Sequence, residues 1–597
     1  MTSDSRHHAC GVVRSISGKR WIWRGGNMDL CDGGGIPGEA LVNQLLLARG
    51  VAADDLARHR NPTLRAFLPD PSCFRDMETA AERIAQAVLC QEAVTVYGDY
   101  DVDGATSAAL LVRLFAMLGH RADFYIPDRL LEGYGPSGEA LVRLAQGGSS
   151  LVITVDCGAM AHEALAQAHD AGLDVIVVDH HKCAHDLPRA VALVNPNRLD
   201  ECDEAAGHGH LAAVGVAFLL AIAVVRTLRA RGFFDDRAEP DLLSLLDLVA
   251  LGTVADVAAL HGLNRAFVAQ GLKIMRQRRN TGLAALIDAS RLSRAPICSD
   301  LGFALGPRIN AGGRVGEATL GVRLLTTEDE EEARRLAEQL SRLNEERRAV
   351  EQSVQEEAEA QLAQQHNRAV HLVAGKGWHP GVIGIVAGRI KEKTGRPALV
   401  IALDEEDGHG KGSGRSIGGV DLGAAVIAAR EAGLLVAGGG HAMAAGLTIP
   451  SDKVDALAEF LEQRLASHVA RAQEDQAIAL DLSVAPRGLS PDLVGQLELA
   501  GPFGVGWPSP RVATGLVKLV KADVVGQNHV RLVASGGDGA SFKAVGFRMA
   551  ESELGQILLH GSAGRHLWLA GRVKLDDWGS RPAAELHLED AAFAEQR

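Results

Sequence analysis

Residues 94–104 read VTVYGDYDVDG: an apolar, β-branched run breaks into three acids, Asp99, Asp101 and Asp103, spaced two apart and closed by Gly104. The run has the length and composition of a short buried strand, and ATSAALLVRLFAMLG (105–119) after it reads as a helix ended by glycine. The unit then repeats. SLVITVDCG (150–158) is a second strand with Asp156 at its tip, AHEALAQAHDAG (161–172) a helix, and LDVIVVDHH (173–181) a third strand ending in Asp179, His180 and His181. Apolar strands alternating with helices indicate a mostly parallel sheet covered on both faces.

In such sheets ligands bind at the carboxyl ends of the strands, so the three charged tips are expected to share one crevice. A fourth segment, LLSLLDLVALGTVADV (242–257), also reaches an acid, Asp256. Taken singly, these features mean little. A lone DxD is usually solvated, an acid after a strand often caps the next helix, and two adjacent histidines suit a turn. Jointly they are unfavourable unless a cation compensates their repulsion. Carboxylates and imidazoles, with no cysteine pair at zinc spacing, suit Mn²⁺ or Mg²⁺, and Asp156 and Asp256 bring enough ligands for two ions. Such a pair can activate water and stabilise the attacking and leaving oxygens of a phosphoryl displacement.

The bulk properties bound the rest. The 597 residues suit two to four domains, and 47% hydrophobic with 23% charged residues is ordinary for a globular chain. A net charge of −14 argues against a uniformly basic, nucleic-acid-binding surface, so basic patches must be local. Eight cysteines without a CxxC pair read as reduced thiols. No uncharged apolar run reaches membrane-spanning length, and the start, MTSDSRHHACGVVRS, lacks an apolar signal core. A cytoplasmic protein without membrane contact is expected.

The expected fold is α/β: two α/β domains joined by a long helix, followed by a β-barrel. An N-terminal region (1–75) contains the basic aromatic stretch RWIWR (20–24). A catalytic α/β domain (76–327) precedes a charged connector helix (328–366), opening at a capping box of Thr327 and Glu330. A second α/β domain (367–466) leads to a terminal domain (467–597) of short alternating segments such as GLVKLVKADVVG (515–526). Cys202, His208 and His210 lack a fourth zinc ligand and read as a polar insertion.

GDYDVDG (98–104), DCG (156–158), DHH (179–181) and GTVADV (252–257) resemble the four motifs of the DHH phosphoesterase superfamily. GPRINAGGR (306–314), GWHPGVIGIVAGRI (377–390), GSGRS (412–416), GGGHAMAAG (438–446) and PFGVGWPSP (502–510) narrow the resemblance to the RecJ family of single-strand-specific 5′→3′ DNA exonucleases, in order along essentially the whole chain. The resemblance implies that Asp101, Asp103, Asp156, His180 and Asp256 hold two divalent ions, with Asp156 bridging. Asp99 and His181 belong to the same motifs, as ligands or as groups that orient water or the scissile phosphate.

It also implies a DHH domain, a DHH-associated domain and an OB-fold. Arg308, Asn310, Arg314, Trp378, His379, Ser413, Arg415, Ser416, Gly439, Gly440 and His441 become candidate contacts to single-stranded DNA. Trp568 and Trp578 stand as either base platforms or core residues of the barrel. A monomer releasing 5′-mononucleotides in recombination and repair, with a RecQ-type helicase and a single-strand-binding protein as partners, follows from the resemblance alone. Val102, Val505 and Trp507 depart from the usual motif residues without removing a ligand. Two alternatives stand beside this reading: a DHH phosphodiesterase for short oligonucleotides or cyclic dinucleotides, disfavoured by chain length, and a non-catalytic DNA-binding scaffold, disfavoured by the complete ligand set.

Overall fold

The computed structural model describes residues 8–25, 29–30, 38–128, 132–133, 135–365, 368–404, 408–576 and 582–594. They form two compact units: Pro62–Gln352 with Pro502–Pro508, and the segments up to Asn61, Ser353–Gly501 and Ser509 onward.

The first unit is built on the strands read from the sequence. β1 (Val94–Gly98), β2 (Ala122–Tyr125), β3 (Leu151–Val155), β4 (Asp174–Val178) and β5 (Ala192–Val194) form an all-parallel sheet in the order β2-β1-β3-β4-β5. VTVYG and LVITV are buried along their whole length because helices cover both faces. Met77–Cys90, Val102–Met117 and Ala213–Ala230 pack on one face, Gly138–Gln146 and His162–Asp170 on the other. The crossover from β1 to β2 and that from β3 to β4 therefore run on opposite faces. Strand order reverses between β1 and β3, which opens a crevice at their carboxyl ends.

Ala213–Ala230 is apolar enough to cross a membrane by length and composition, but 72% of it is buried. Its Leu219, Leu220 and Val224 have no exposed surface. Each such side chain contributes about 1.5–3 kcal/mol of hydrophobic stabilisation, so the helix is core.

The connector is a 33-residue helix, Glu330–Leu362. It does not start with the expected capping box. Its first turn is held by Asp329, whose Oδ1 accepts from the Glu332 amide at 2.7 Å, while the Thr327 hydroxyl donates to the Glu332 carboxylate at 2.7 Å. The helix begins three residues beyond Thr327, so Asp329, immediately before it, takes the cap.

In the second unit, β6 (His371–Lys376), β7 (Ala398–Leu403), β8 (His409–Arg415), β9 (Ala437–His441) and β10 (Ala444–Pro450) form a mixed sheet in the order β9-β10-β8-β7-β6. Its apolar face packs on Leu422–Glu431 and Val454–Glu474. The terminal strands β11 (Val517–Val525), β12 (His529–Gly536), β13 (Ser541–Gly546), β14 (Leu567–Asp576) and β15 (Ala583–Phe593) run in the order β11-β12-β13-β15-β14. β14 closes onto β11 through Val517 opposite Leu567, completing a five-stranded barrel.

The stretch RWIWR is structural. Arg20–Trp23 is a strand that pairs in parallel with Ala477–Leu480, and fully buried Trp21 donates its indole N–H to Asp590 at 2.9 Å. Trp568 packs partly buried against the same cluster. Trp578 lies outside the described residues.

Candidate metal centre

Each acid at the crevice is positioned by backbone. Asp101 is the N-cap of Val102–Met117, and its Oδ1 accepts from the Asp103 and Gly104 amides at 2.9 and 3.1 Å. Gly104 is required for close approach: a Cβ there would meet the Asp99 carbonyl oxygen at 2.4 Å. Asp103 is 1% exposed and serves another helix. Its two oxygens accept from the Ala213 and Val214 amides at 2.7 and 2.9 Å, capping a helix whose own N-cap, Ala212, has no side chain to offer. Asp156, just after β3, has a left-handed backbone with φ of 62°, an uncommon conformation for a residue with a side chain. Asp256 ends the helix Leu246–Ala255, and Val257 beyond it is also left-handed at φ 63°.

The histidines follow β4. His180 donates Nδ1–H to the Leu211 carbonyl at 2.9 Å, which leaves Nε2 to face the acids. Nε2 lies 3.2 Å from Asp156, 3.8 Å from Asp103 and 3.9 Å from Asp256, and it makes no hydrogen bond. Asn197 braces this turn, donating to the carbonyls of His180 and Gly209 at 2.6 and 3.0 Å.

The sequence reading gave Asp179 no role, yet it organises the motif. Its Oδ1 accepts from the amides of His180 and His181 and from His181 Nδ1 at 2.7, 3.1 and 2.7 Å, and its Oδ2 from the Ala159 amide at 3.0 Å. Burial opposes ionisation of Asp179, but the His181 hydrogen bond and charge outweigh it and hold the carboxyl at about 2. Burial likewise opposes charge on His181, yet Asp179 raises it to about 9.

Three groups result whose ligand atoms lie within 4.8 Å of one another: Asp99, Asp101 and Asp156; Asp156, His180 and His181; and Asp103, His180 and Asp256. Asp156 and His180 each belong to two. The donor set fits divalent cations. Burial, then repulsion from Asp101, Asp103, Asp99 and Asp179, pushes Asp156 well above the carboxylate range. Burial also raises Asp256 to about 8, with Asp103 and Asp101 adding to it, and raises Asp103 to about 6 despite His180. A cation among them would relieve that repulsion. Cys157 beside them is buried, its thiol pushed far up by burial, and donates to the Val155 carbonyl at 3.4 Å. Oxygen and imidazole donors of this kind suit Mn²⁺ or Mg²⁺.

The candidate DNA contacts divide by environment. In the first unit Arg308 is half-buried and donates to the Ala304 carbonyl and the Ser341 hydroxyl at 2.6 and 3.1 Å. Asn310 and Arg314 lie with it on Gly306–Val315, where Asn310 Oδ1 is buried without a hydrogen bond. In the second unit Trp378 is 4% exposed and donates to Glu357 at 2.8 Å, so its ring packs over Gly375 and offers no open face for a base. His379 Nδ1 caps Pro380–Thr394 through the Gly381 amide at 3.0 Å. Ser416 is buried and donates to the Val420 carbonyl at 2.7 Å, a structural bond. Ser413 and Arg415 lie next but one to each other on β8, and the Arg415 guanidinium reaches the Ser413 hydroxyl at 3.1 Å. Ser413 stands opposite Gly446, and Gly446 opposite Gly439, with open space above both glycines. Gly440 and exposed His441 complete that edge.

A parallel sheet with overlapping carboxylate and imidazole clusters at its switch point defines a metal-dependent phosphoesterase of the DHH class. Models of the DHH family N-terminal domain, the DHHA1 domain and the RecJ OB domain match residues 93–253, 366–467 and 480–590. The chain is 36% identical to the single-stranded-DNA-specific exonuclease RecJ of Bacillus subtilis, over 93% of this chain and 68% of that protein. It is 36% identical to the Dickeya dadantii protein of that name, over 92% and 95%. The structure of Thermus thermophilus RecJ in complex with Mn²⁺ superposes with a TM-score of 0.75 at 30% identity, covering 94% of this chain and 76% of that one. The Mg²⁺ complex of the same protein gives 0.70 at 28% identity, covering 94% and 75%. The chain belongs to the RecJ family of single-stranded-DNA-specific exonucleases.

Proposed function

We propose that this chain hydrolyses single-stranded DNA from the 5′ end to 5′-mononucleotides, using two Mn²⁺ or Mg²⁺ ions, in DNA recombination and repair. The observation that carries the reading is the set of three overlapping Asp/His clusters, linked through Asp156 and His180, in a chain matched to exonucleases along almost its whole length. Asp99, Asp101 and Asp156 would hold one ion, and Asp103, His180 and Asp256 the other, with Asp156 between them. When bound, the ions supply a water of lowered pKa and positive charge for the developing phosphoryl oxyanion.

The protein's own groups fix that geometry. Asp101 and Asp103 are immobilised by amides at two helix starts, and Leu211 fixes the His180 tautomer. His181, charged through Asp179, is available to orient the scissile phosphate or protonate a leaving oxygen. Ser413 and Arg415 beside the bare glycine strip suit a terminal phosphate and a closely approaching strand, and Arg308, Asn310 and Arg314 suit further phosphates. Monomeric action in the cytoplasm, on strands opened by a RecQ-type helicase and coated by a single-strand-binding protein, rests on family resemblance.

The test is incubation with Mn²⁺ and a 5′-labelled single strand, beside duplex and dinucleotide controls. Early release of labelled mononucleotide from the single strand alone is expected; preferential cleavage of the dinucleotide would reject the reading.

A further inference from the structure

A short piece of the PFGVGWPSP motif sits apart from its neighbours in sequence. Pro502–Pro508 belongs to the first unit, while Gly501 before it and Ser509 after it belong to the second. The segment closes on itself as a turn: the Gly504 amide donates to the Trp507 carbonyl at 3.0 Å, and the Trp507 amide to the Gly504 carbonyl at 3.2 Å. Two glycines let it lie flush against the first unit. A Cβ on Gly504 would meet the Leu260 side chain at 2.7 Å, and one on Gly506, whose φ is 71°, would meet His261 Nε2 at 2.6 Å.

The surface beneath it is the loop that follows Asp256. The Val505 carbonyl accepts from the Leu260 amide at 2.8 Å. Arg265 has no exposed surface; its Nη1 donates to the Pro502 carbonyl at 3.1 Å, and its guanidinium carbon stands 5.4 Å from the centre of the Trp507 ring. Burying a guanidinium is costly without compensation, so that carbonyl and that ring are part of what makes Arg265 tolerable in the interior. Trp507 is 6% exposed, whereas Val505 is 46% exposed and contributes its backbone. Both departures from the usual motif residues are therefore compatible with docking.

Behind the same loop lies a second tie. Asn264, on the helix Gly262–Met275, is fully buried, and its Nδ2 donates to the Ala259 carbonyl at 3.1 Å and to the His210 carbonyl at 2.6 Å. Ala259 belongs to the loop after Asp256, and His210 directly precedes Leu211, whose carbonyl fixes His180 Nδ1. One amide thus joins the stretch that follows one proposed ligand to the stretch that orients another, and His180 Nε2 lies 3.9 Å from Asp256. Asn264 Oδ1 is buried without a hydrogen bond, a cost that leucine at this position would avoid. The value of the side chain therefore lies in the two carbonyls it joins. Asp99, Asp101 and Asp156 have no such dependence, because they follow the paired neighbouring strands β1 and β3.

We propose that Asn264 and Pro502–Pro508 form a brace for one of the two metal sites. The segment pins the loop after Asp256, and Asn264 holds that loop against the one that orients His180, which sets the spacing of these two ligands. Asn264 and Trp507 are positioning residues that act through Asp256 and His180. The brace rests on the reading that Asp103, His180 and Asp256 hold one ion. The test titrates Mn²⁺ into metal-free wild type, Asn264→Leu and Trp507→Leu, with free Mn²⁺ followed by electron paramagnetic resonance and melting temperatures recorded alongside. Turnover and KM on a 5′-labelled single strand are measured over a range of Mn²⁺. Wild type should bind two ions. Asn264→Leu should bind one of them about 10–100-fold more weakly, as when outer partners of metal ligands are removed, and should keep the other. Its turnover should fall at low Mn²⁺ and recover as Mn²⁺ is raised, with KM for the strand unchanged. Trp507→Leu should show a smaller loss at one ion only, and it carries the test if Asn264→Leu does not fold. Two unchanged affinities in a folded variant, equal weakening of both ions, or turnover that no Mn²⁺ concentration restores would overturn the brace. A merely structural role would lower the melting temperature without singling out one ion. A wild type that binds fewer than two ions would instead overturn the metal assignment on which the brace rests.

Discussion

The acids at the sheet ends and the four arginines of the second unit that surround Asp481 and Glu589 (Arg24, Arg49, Arg511 and Arg572) are both crowds of like charge, yet they are built differently. Asp101, Asp103 and Asp179 are each gripped by backbone amides, and Asp103, Asp156 and Asp179 are buried. Those carboxylates cannot move apart, and burial raises the pKa values of Asp103 and Asp156, whereas His181 keeps that of Asp179 low. Arg24, Arg511 and Arg572 are about a third exposed or less, with flexible stems and screened charges. The difference indicates what each crowd is for. Rigid, buried repulsion is relieved by a small ion in fixed geometry, whereas repulsion among partly exposed side chains is largely screened by solvent.

Substitutions can break that contrast, and the metal side should break hardest. Asp156→Ala removes the residue shared by two clusters, so turnover is expected to fall on the order of a thousandfold or more. Stopped or quenched assays with saturating Mn²⁺ check this, and near-normal turnover would discard the ligand assignment. Asp179→Asn keeps the shape but loses the charge that orients His181. Metal affinity or activity should drop about 10–100-fold, as for outer partners of metal ligands, and the melting temperature should fall as well, because an amide NH2 would face a buried N–H donor.

A buried acid outside both crowds provides a smaller control. Asp247 is 2% exposed, and burial raises its pKa to about 6, with the Leu248 amide and Arg113 opposing. The folded state therefore holds its proton more tightly than the unfolded chain, so the contribution of this group to stability is greatest below about 4 and is lost as pH rises from there to about 6. Asp247→Asn keeps an acceptor for the Leu248 amide and should stabilise the protein by about 1–3 kcal/mol at pH 8 but not at pH 4, read from urea denaturation. Smallest of all should be Arg24→Gln, which relieves repulsion as it loses a contact to Asp481. Its unfolding free energy should stay within about 0.5 kcal/mol of wild type.

Much of the metal centre was legible because its signal is local: an apolar run, then an acid, three times over. Within and beyond those tips, resemblance to the DHH motifs singled out Asp101, Asp103, Asp156, His180 and Asp256, and the structure brings their side chains together. The supporting groups are legible only in three dimensions. Asp103 is held by amides of residues 213 and 214, more than a hundred positions later, and His180 by the carbonyl of Leu211. The N-terminal strand pairs with Ala477–Leu480, a partner that no periodicity in residues 20–23 could specify. Trp378 shows the opposite limit. An aromatic residue before a glycine-rich turn suggests a contact surface, but its ring is buried and its indole N–H is taken by Glu357 of the connector helix.

The central claim is that one Asp/His constellation holds two ions. Mn²⁺ titrated into metal-free protein, with free Mn²⁺ followed by electron paramagnetic resonance, tests it most directly. The account predicts two ions bound per wild-type chain and loss of both tight sites in Asp156→Ala; two tight sites surviving in that variant would contradict it.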